Sequence, residues 1–143
     1  MTRDKTLLVQ ASWPTVAANT DTLTRRFYEH LFEIDDSAAR LFAGVDMAAQ
    51  REKLAKSLAV VIGSLDNLEQ LVPHIAALGK RHVNYGVEQR HYDSVGDALL
   101  WALRDTLGTS FTTELHEAWA EAYTLVASVM QRALARRSTS AAS

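Results

Sequence analysis

Apolar residues recur along this chain at intervals of three and four almost throughout, and no stretch keeps the two-residue alternation of a half-buried strand. The pattern predicts an all-α chain. A first helix is expected from about Asp4 to Ala18 with Leu8, Ala11 and Trp13 inward, and the Asn19-Thr20-Asp21 cluster breaks it and caps the next. Leu23, Phe27 and Leu31 mark a second helix, flanked by Tyr28 and Phe32. A short element ends near Leu41-Phe42, and Gly44 with Asp46, the expected cap, leads into a helix bearing Leu54, Leu58, Val61, Ile62 and Leu65. Leu71, Ile75, Leu78 and His82 share one stripe of the following helix, which puts an imidazole where apolar side chains belong. Beyond Tyr85-Gly86-Val87, Val95, Leu99 and Leu103 mark a helix stopped by Gly108. Thr112 or Thr113 then caps a last one carrying Leu115, Trp119, Ala122, Val126, Val129 and Ala133. The tail from about residue 135 to 143 reads as frayed.

Six or seven helices of unequal length, without long heptad runs, suit crossed packing around a central pocket better than a regular bundle. With 143 residues the chain is expected to form one domain, residues 1–143. Six Gly and two Pro are too few for a turn-rich β-sandwich. The net charge of −2 gives no footprint for nucleic acid or an anionic membrane. The longest apolar run, Ala98 to Leu103, is far too short to span a bilayer, and Met1 to Thr6 has no signal core behind it. A cytoplasmic location is expected. Cys is absent, so metal chemistry must use His or carboxylate.

No Gly-x-Ser-x-Gly turn and no phosphate loop occurs. Glu88-Gln89-Arg90-His91 is a single Glu-x-x-His unit where a di-iron bundle needs two. His30, His74, His91 and His116 are scattered without helical zinc spacing and read as surface residues. His82 stands apart, because a buried imidazole must have its nitrogens satisfied. The Leu78 carbonyl one turn back could accept its Nδ1 proton, which serves both a hydrogen-bonded core histidine and an axial metal ligand with Nε2 free.

Several segments together carry a resemblance: Phe27-Tyr28-x-x-Leu31-Phe32, Leu41-Phe42, Gln50-Arg51-x-Lys53-Leu54, Leu65-Asp66-Asn67-Leu68-Glu69, Leu78-Gly79-x-Arg81-His82-x-x-Tyr85-Gly86-Val87 and His91-Tyr92-x-x-Val95-Gly96. Trp13, Leu107-Gly108-x-x-Phe111-Thr112 and Ala118-Trp119-x-x-Ala122-Tyr123 extend it over residues 5 to 131. In this order and spacing the sequence resembles the single-domain bacterial globins, which are similar to the haem domains of flavohaemoglobins and kin to neuroglobin. The resemblance implies a globin fold, haem b as cofactor, His82 as the iron ligand and Phe42 packed on the porphyrin. It places Tyr28, Gln50 and Leu54 on the distal side, where a phenol and an amide can donate hydrogen bonds to partly negative O₂. Gln50 stands where many globins have a distal histidine, so a pentacoordinate iron is expected. Leu78, Tyr85, Val87, Tyr92 and Val95 complete the expected cofactor contacts, and Lys53 and Arg81 could reach the propionates.

The chain also departs from the family. Tyr92 matches a tyrosine that flavohaemoglobin relatives pair with a glutamate from the last helix, but that position is Leu134 here, and no Asp or Glu follows Glu121. Less anionic imidazole character is the expected consequence, disfavouring peroxidase-like O–O cleavage. Asp35-Asp36 replaces a Pro often found at this junction. The resemblance leaves three functions open: reversible carriage of O₂, with NO and CO as further ligands; dioxygenation of NO to nitrate; and a gas or redox sensor without turnover. Dioxygenation needs re-reduction, and with no Gly-rich dinucleotide segment and no room for a flavin domain a separate reductase is expected. A monomer or weak homodimer is the expected state.

Overall fold

A computed structural model describes residues 1–142, with side chains described at all but residue 84 and those from 133 onward. Seven α-helices follow one another: α1 (Arg3–Ala17), α2 (Thr20–Ile34), α3 (Asp36–Leu41), α4 (Met47–Gly63), α5 (Leu68–Asn84), α6 (Gln89–Leu107) and α7 (Thr113–Ala142), with a 3₁₀ turn, Gly108–Ser110, before the last. Among the described residues there is no strand, and no helix is long and apolar enough to cross a membrane. The reading of the tail at 135–143, and the Ala133 and Leu134 side chains, lie outside the residues described in full.

The core forms where α2 packs on α6 and α7 packs on α1, α5 and α6. Leu23, Phe27 and Leu31 of α2, Leu99 and Leu103 of α6, and Leu115, Trp119 and Ala122 of α7 belong to one core, all buried as the stripes predict. Gly79 lets α5 close on α7, since a Cβ there would lie 2.8 Å from the Met130 backbone. Two caps follow the sequence reading: Asp46 accepts from Ala48 and Ala49 at the start of α4, and Thr112 Oγ1 accepts from Leu115 at the start of α7.

Two expectations are corrected. In α1 the inward residues are Thr6, Val9 and Val16, with Trp13 half-buried, while Leu8 and Ala11 are exposed. Polar side chains turn this helix: Ser12 Oγ accepts from Trp119 Nε1 at 3.0 Å and Gln10 Nε2 donates to the Ile62 carbonyl at 3.1 Å. His91, expected on the surface, is buried because both its ring nitrogens find partners: Nδ1 accepts from the Glu88 backbone N–H at 2.8 Å and Nε2 lies 2.9 Å from Ser37 Oγ. Asp35, at the α2–α3 junction, caps α3 by accepting from Ser37 and Ala38.

Candidate functional site

The chemistry-bearing residues fall into two groups, on helices that do not pack extensively on one another. α4 rests on α1 and α2 while α5 rests chiefly on α7, and no extensive α4–α5 packing exists among the described residues. Accordingly Leu54 and Leu58 of α4 and Leu78 of α5 stay half-buried beside the core although they share stripes with buried residues. Phe42, Val87 and Val95 are half-buried in the same way. These positions are apolar, partly open and fixed by the core behind them.

On the α2–α4 side the Tyr28 ring is buried, with Phe42 at 5.4 Å, Phe32 at 5.8 Å and Phe27 at 4.8 Å between ring centroids. Gln50, on the first turn of α4 set by the Asp46 cap, donates from Nε2 to the Tyr28 hydroxyl oxygen at 3.2 Å. Because the hydroxyl accepts from Gln50, its own proton is free to be donated elsewhere. Burial pushes the Tyr28 hydroxyl above its ordinary pKa, with the Gln50 bond opposing, so it remains a proton-bearing donor at neutral pH. The resemblance set both residues on the distal side, and the structure brings them into contact with each other.

On the α5 side the His82 Nδ1 lies 2.7 Å from the Leu78 carbonyl, the bond expected from helical spacing. A carbonyl can only accept, so Nδ1 carries the proton and Nε2 keeps its lone pair. Nε2 has no polar partner among the described residues. Burial lowers the pKa of this half-buried ring, the Leu78 bond opposes, and the Arg81 charge lowers it further, so the imidazole is neutral at pH 7. Both conditions suit binding of a metal at one coordination position.

The remaining predicted residues divide. Tyr92 is buried, and its carbonyl accepts from the Tyr123 hydroxyl at 2.5 Å. Burial raises the pKa of the Tyr92 phenol, and no carboxylate bonds to it among the described residues. Tyr85 is 67% exposed with its ring 6.2 Å from that of His82, so it stands at the rim, not in the wall. Lys53 and Arg81 are exposed.

A sequence profile of the globin family matches residues 25–130, which contain both groups. This chain belongs to the globin family. The globin is 36% identical over 132 residues to a flavohaemoprotein of Rhodopirellula baltica, covering 90% of this chain and 32% of the relative. A flavohaemoprotein of Bacillus subtilis is 28% identical over 130 residues, covering 89% and 33% of the two chains. The globin thus spans about a third of the length of the curated relatives it matches. Its fold matches an engineered carbene transferase derived from a Rhodothermus marinus protein designated a candidate nitric oxide dioxygenase, with TM-score 0.88, 28% identity and coverage of 100% and 99%. A bacterial globin from Campylobacter jejuni shares the fold at TM-score 0.84 and 24% identity, covering 96% of this globin and 99% of that chain.

Sequence reading missed His91 as an interior residue of this globin. Its signal was present in Glu88-x-x-His91, which spaces a backbone donor and an imidazole as the first turn of a helix does, but it was read as a chance metal motif.

Proposed function

We propose that this globin holds haem b through His82 and binds O₂ reversibly, and that it also converts NO to nitrate when a separate reductase of the cytoplasm supplies electrons. The observation that carries the reading is the 2.7 Å bond from His82 Nδ1 to the Leu78 carbonyl, which leaves a neutral imidazole with Nε2 as its open lone pair. The residues fit the group: two half-open apolar walls, one bearing that nitrogen and the other the Tyr28–Gln50 pair, on helices left unpacked against each other. A bound haem supplies the iron chemistry of O₂ and NO.

Each residue then has a definite task. Leu78 orients the His82 ring and makes its nitrogen a better donor. Phe42, Leu54, Leu78, Val87 and Val95 present apolar surface to the macrocycle and exclude water, with Tyr92 packed behind, and Lys53, Arg81 and Tyr85 lie at the rim towards its polar edge. Tyr28 donates its hydroxyl proton to a ligand that gathers negative charge, and Gln50 orients that hydroxyl. Gas ligands O₂, NO and CO are the partners, with the protein a monomer or weak homodimer. The test is spectral: the purified, reduced protein should bind one haem and change its visible spectrum reversibly with O₂ and with CO. Nitrate formed over many turnovers with NO, O₂ and an added reductase supports dioxygenation. One turnover only leaves O₂ binding, and a stable ferrous ligand complex with no turnover favours a sensor.

A further inference from the structure

The buried His91 belongs to neither group of the site, yet it joins the two segments that flank them. On one side, the turn leaving α5 closes back on the His82 residue: the Tyr85 N–H donates to the His82 carbonyl at 3.1 Å and the Val87 N–H at 3.0 Å. The next N–H, that of Glu88, donates to His91 Nδ1 at 2.8 Å. On the other side, His91 Nε2 lies 2.9 Å from Ser37 Oγ at the start of α3, the helix whose C-cap is Phe42. Ser37 Oγ lies in turn 2.5 Å from Asp35 Oδ1, and Asp35 Oδ2 accepts from Ser94 Oγ of α6 at 2.7 Å.

The proton positions in this chain follow from one donor. A backbone N–H only donates, so Nδ1 of His91 is unprotonated and the ring proton sits on Nε2. Nε2 therefore donates to Ser37, whose hydroxyl must spend its own proton on Asp35. The Asp35 carboxyl is held well below the usual carboxylate range, first by the Ser37 bond and then by the Ser94 bond, which keeps it the acceptor at the end of the chain. Packing runs in parallel: Gly86, at φ +89°, sits where a Cβ would be in ordinary van der Waals contact with α3, 3.4 Å from Leu41 Cδ2.

We propose that His91 is a positioning residue for the haem site: as its Nε2–H tautomer it ties the turn that closes the His82 helix to the α3 corner that carries Phe42, setting one wall of the pocket against the other. The inference rests on the haem reading above. Asp35, Ser37 and Ser94 serve as its anchor, with Asp35, one of the two residues at the α2–α3 junction that depart from the family pattern, holding both serines.

The test compares Ser37→Ala, His91→Leu and His91→Gln, the last able to accept from Glu88 and donate to Ser37 through its amide. In the reduced haem-loaded protein, the iron–imidazole stretching band should shift or broaden in Ser37→Ala and His91→Leu and return towards wild type in His91→Gln. Loss of haem to an excess of apomyoglobin should quicken by at least roughly fivefold in the first two. If both variants melt earlier but keep the wild-type band and haem-loss rate, the network serves only the fold and the proposal is overturned. Should His91→Leu not fold, Ser37→Ala decides on the same two readouts. Failure of the wild type to take up haem overturns the haem reading itself, an outcome distinct from unchanged variants.

Discussion

The half of the molecule built from α2, α6 and α7 and the half that α3, α4 and α5 line are similarly apolar in sequence, yet they close differently. Leu23, Leu31, Leu103 and Trp119 are sealed by neighbours from two or three helices. Phe42, Leu54, Leu58 and Leu78 have such neighbours on one side only. Hydrophobic burial stabilises in proportion to area removed from water, so the first set of side chains contributes more to the fold, while the second leaves apolar surface that a ligand would cover under the proposed function. If this division is right, damage to one half should be separable from damage to the other.

The largest effect belongs to the packed half. Trp119→Ala removes a fully buried ring and its bond to Ser12, and should cost about 3–5 kcal/mol of folding stability with or without haem, read by denaturant unfolding. A loss that vanished in the haem-free protein would break the separation, because Trp119 would then be acting through the pocket.

His82→Ala tests the other half. It should abolish or greatly weaken haem retention, lowering the melting temperature of the loaded protein to that of the haem-free chain, because a bound group stabilises by mass action. Haem-free wild type and variant should melt within a few degrees of each other. An unchanged haem spectrum in the variant would refute the ligand assignment.

The two halves were also unequally legible in the sequence. The buried stripes of α2, α6 and α7 follow the helical period because several neighbours cover each, and the Leu78–His82 bond follows from the four-residue spacing alone. In α1 the period was legible but the face was not. Apolar residues stand at adjacent positions there, and the choice fell to the bonds from Gln10 and to Ser12, whose partners are distant in sequence. His91 was misread for the same reason: Ser37 reaches it across 54 positions, and no local pattern announces such a partner. Only resemblance put Tyr28 and Gln50 on the same side of the site, and their contact was not foreseen, since spacing along the chain says nothing about a pair on two different helices.

Where α2 of the packed half meets α4 of the open one, the distal pair should separate into a strong and a weak member. Tyr28→Phe removes a donor to a charge-bearing ligand, worth about 1.5–3 kcal/mol, so O₂ release should quicken by about 10- to 150-fold in stopped-flow dissociation. Carbon monoxide, gathering less negative charge, should respond far less. Gln50→Leu removes a neutral bond that orients the hydroxyl, worth about 0.5–1.5 kcal/mol, and should quicken O₂ release by about 2- to 12-fold. A reversed order would make the amide the main donor.

The smallest effect is a pH slope that sharpens where the wall of the open half lies. Burial, aided by the Arg81 charge and opposed by the Leu78 bond, lowers the His82 pKa below its ordinary 6.5. In the interval between the two values the unfolded chain binds more protons than the folded one, so stability from this ring is complete above about pH 6.5 and is lost as pH falls through the lowered value. One group contributes at most about 1.4 kcal/mol per pH unit. Asp35 adds a loss of the same sign, but only in stronger acid, since its carboxyl is depressed from the carboxylate range. Denaturant unfolding of the haem-free protein between pH 7 and 5 should therefore show a shallower slope in His82→Leu than in wild type. Parallel curves would mean that the ring is as hydrated when folded as when unfolded, so the α5 side would lack the partial burial by which its half-open wall differs from plain exposed surface.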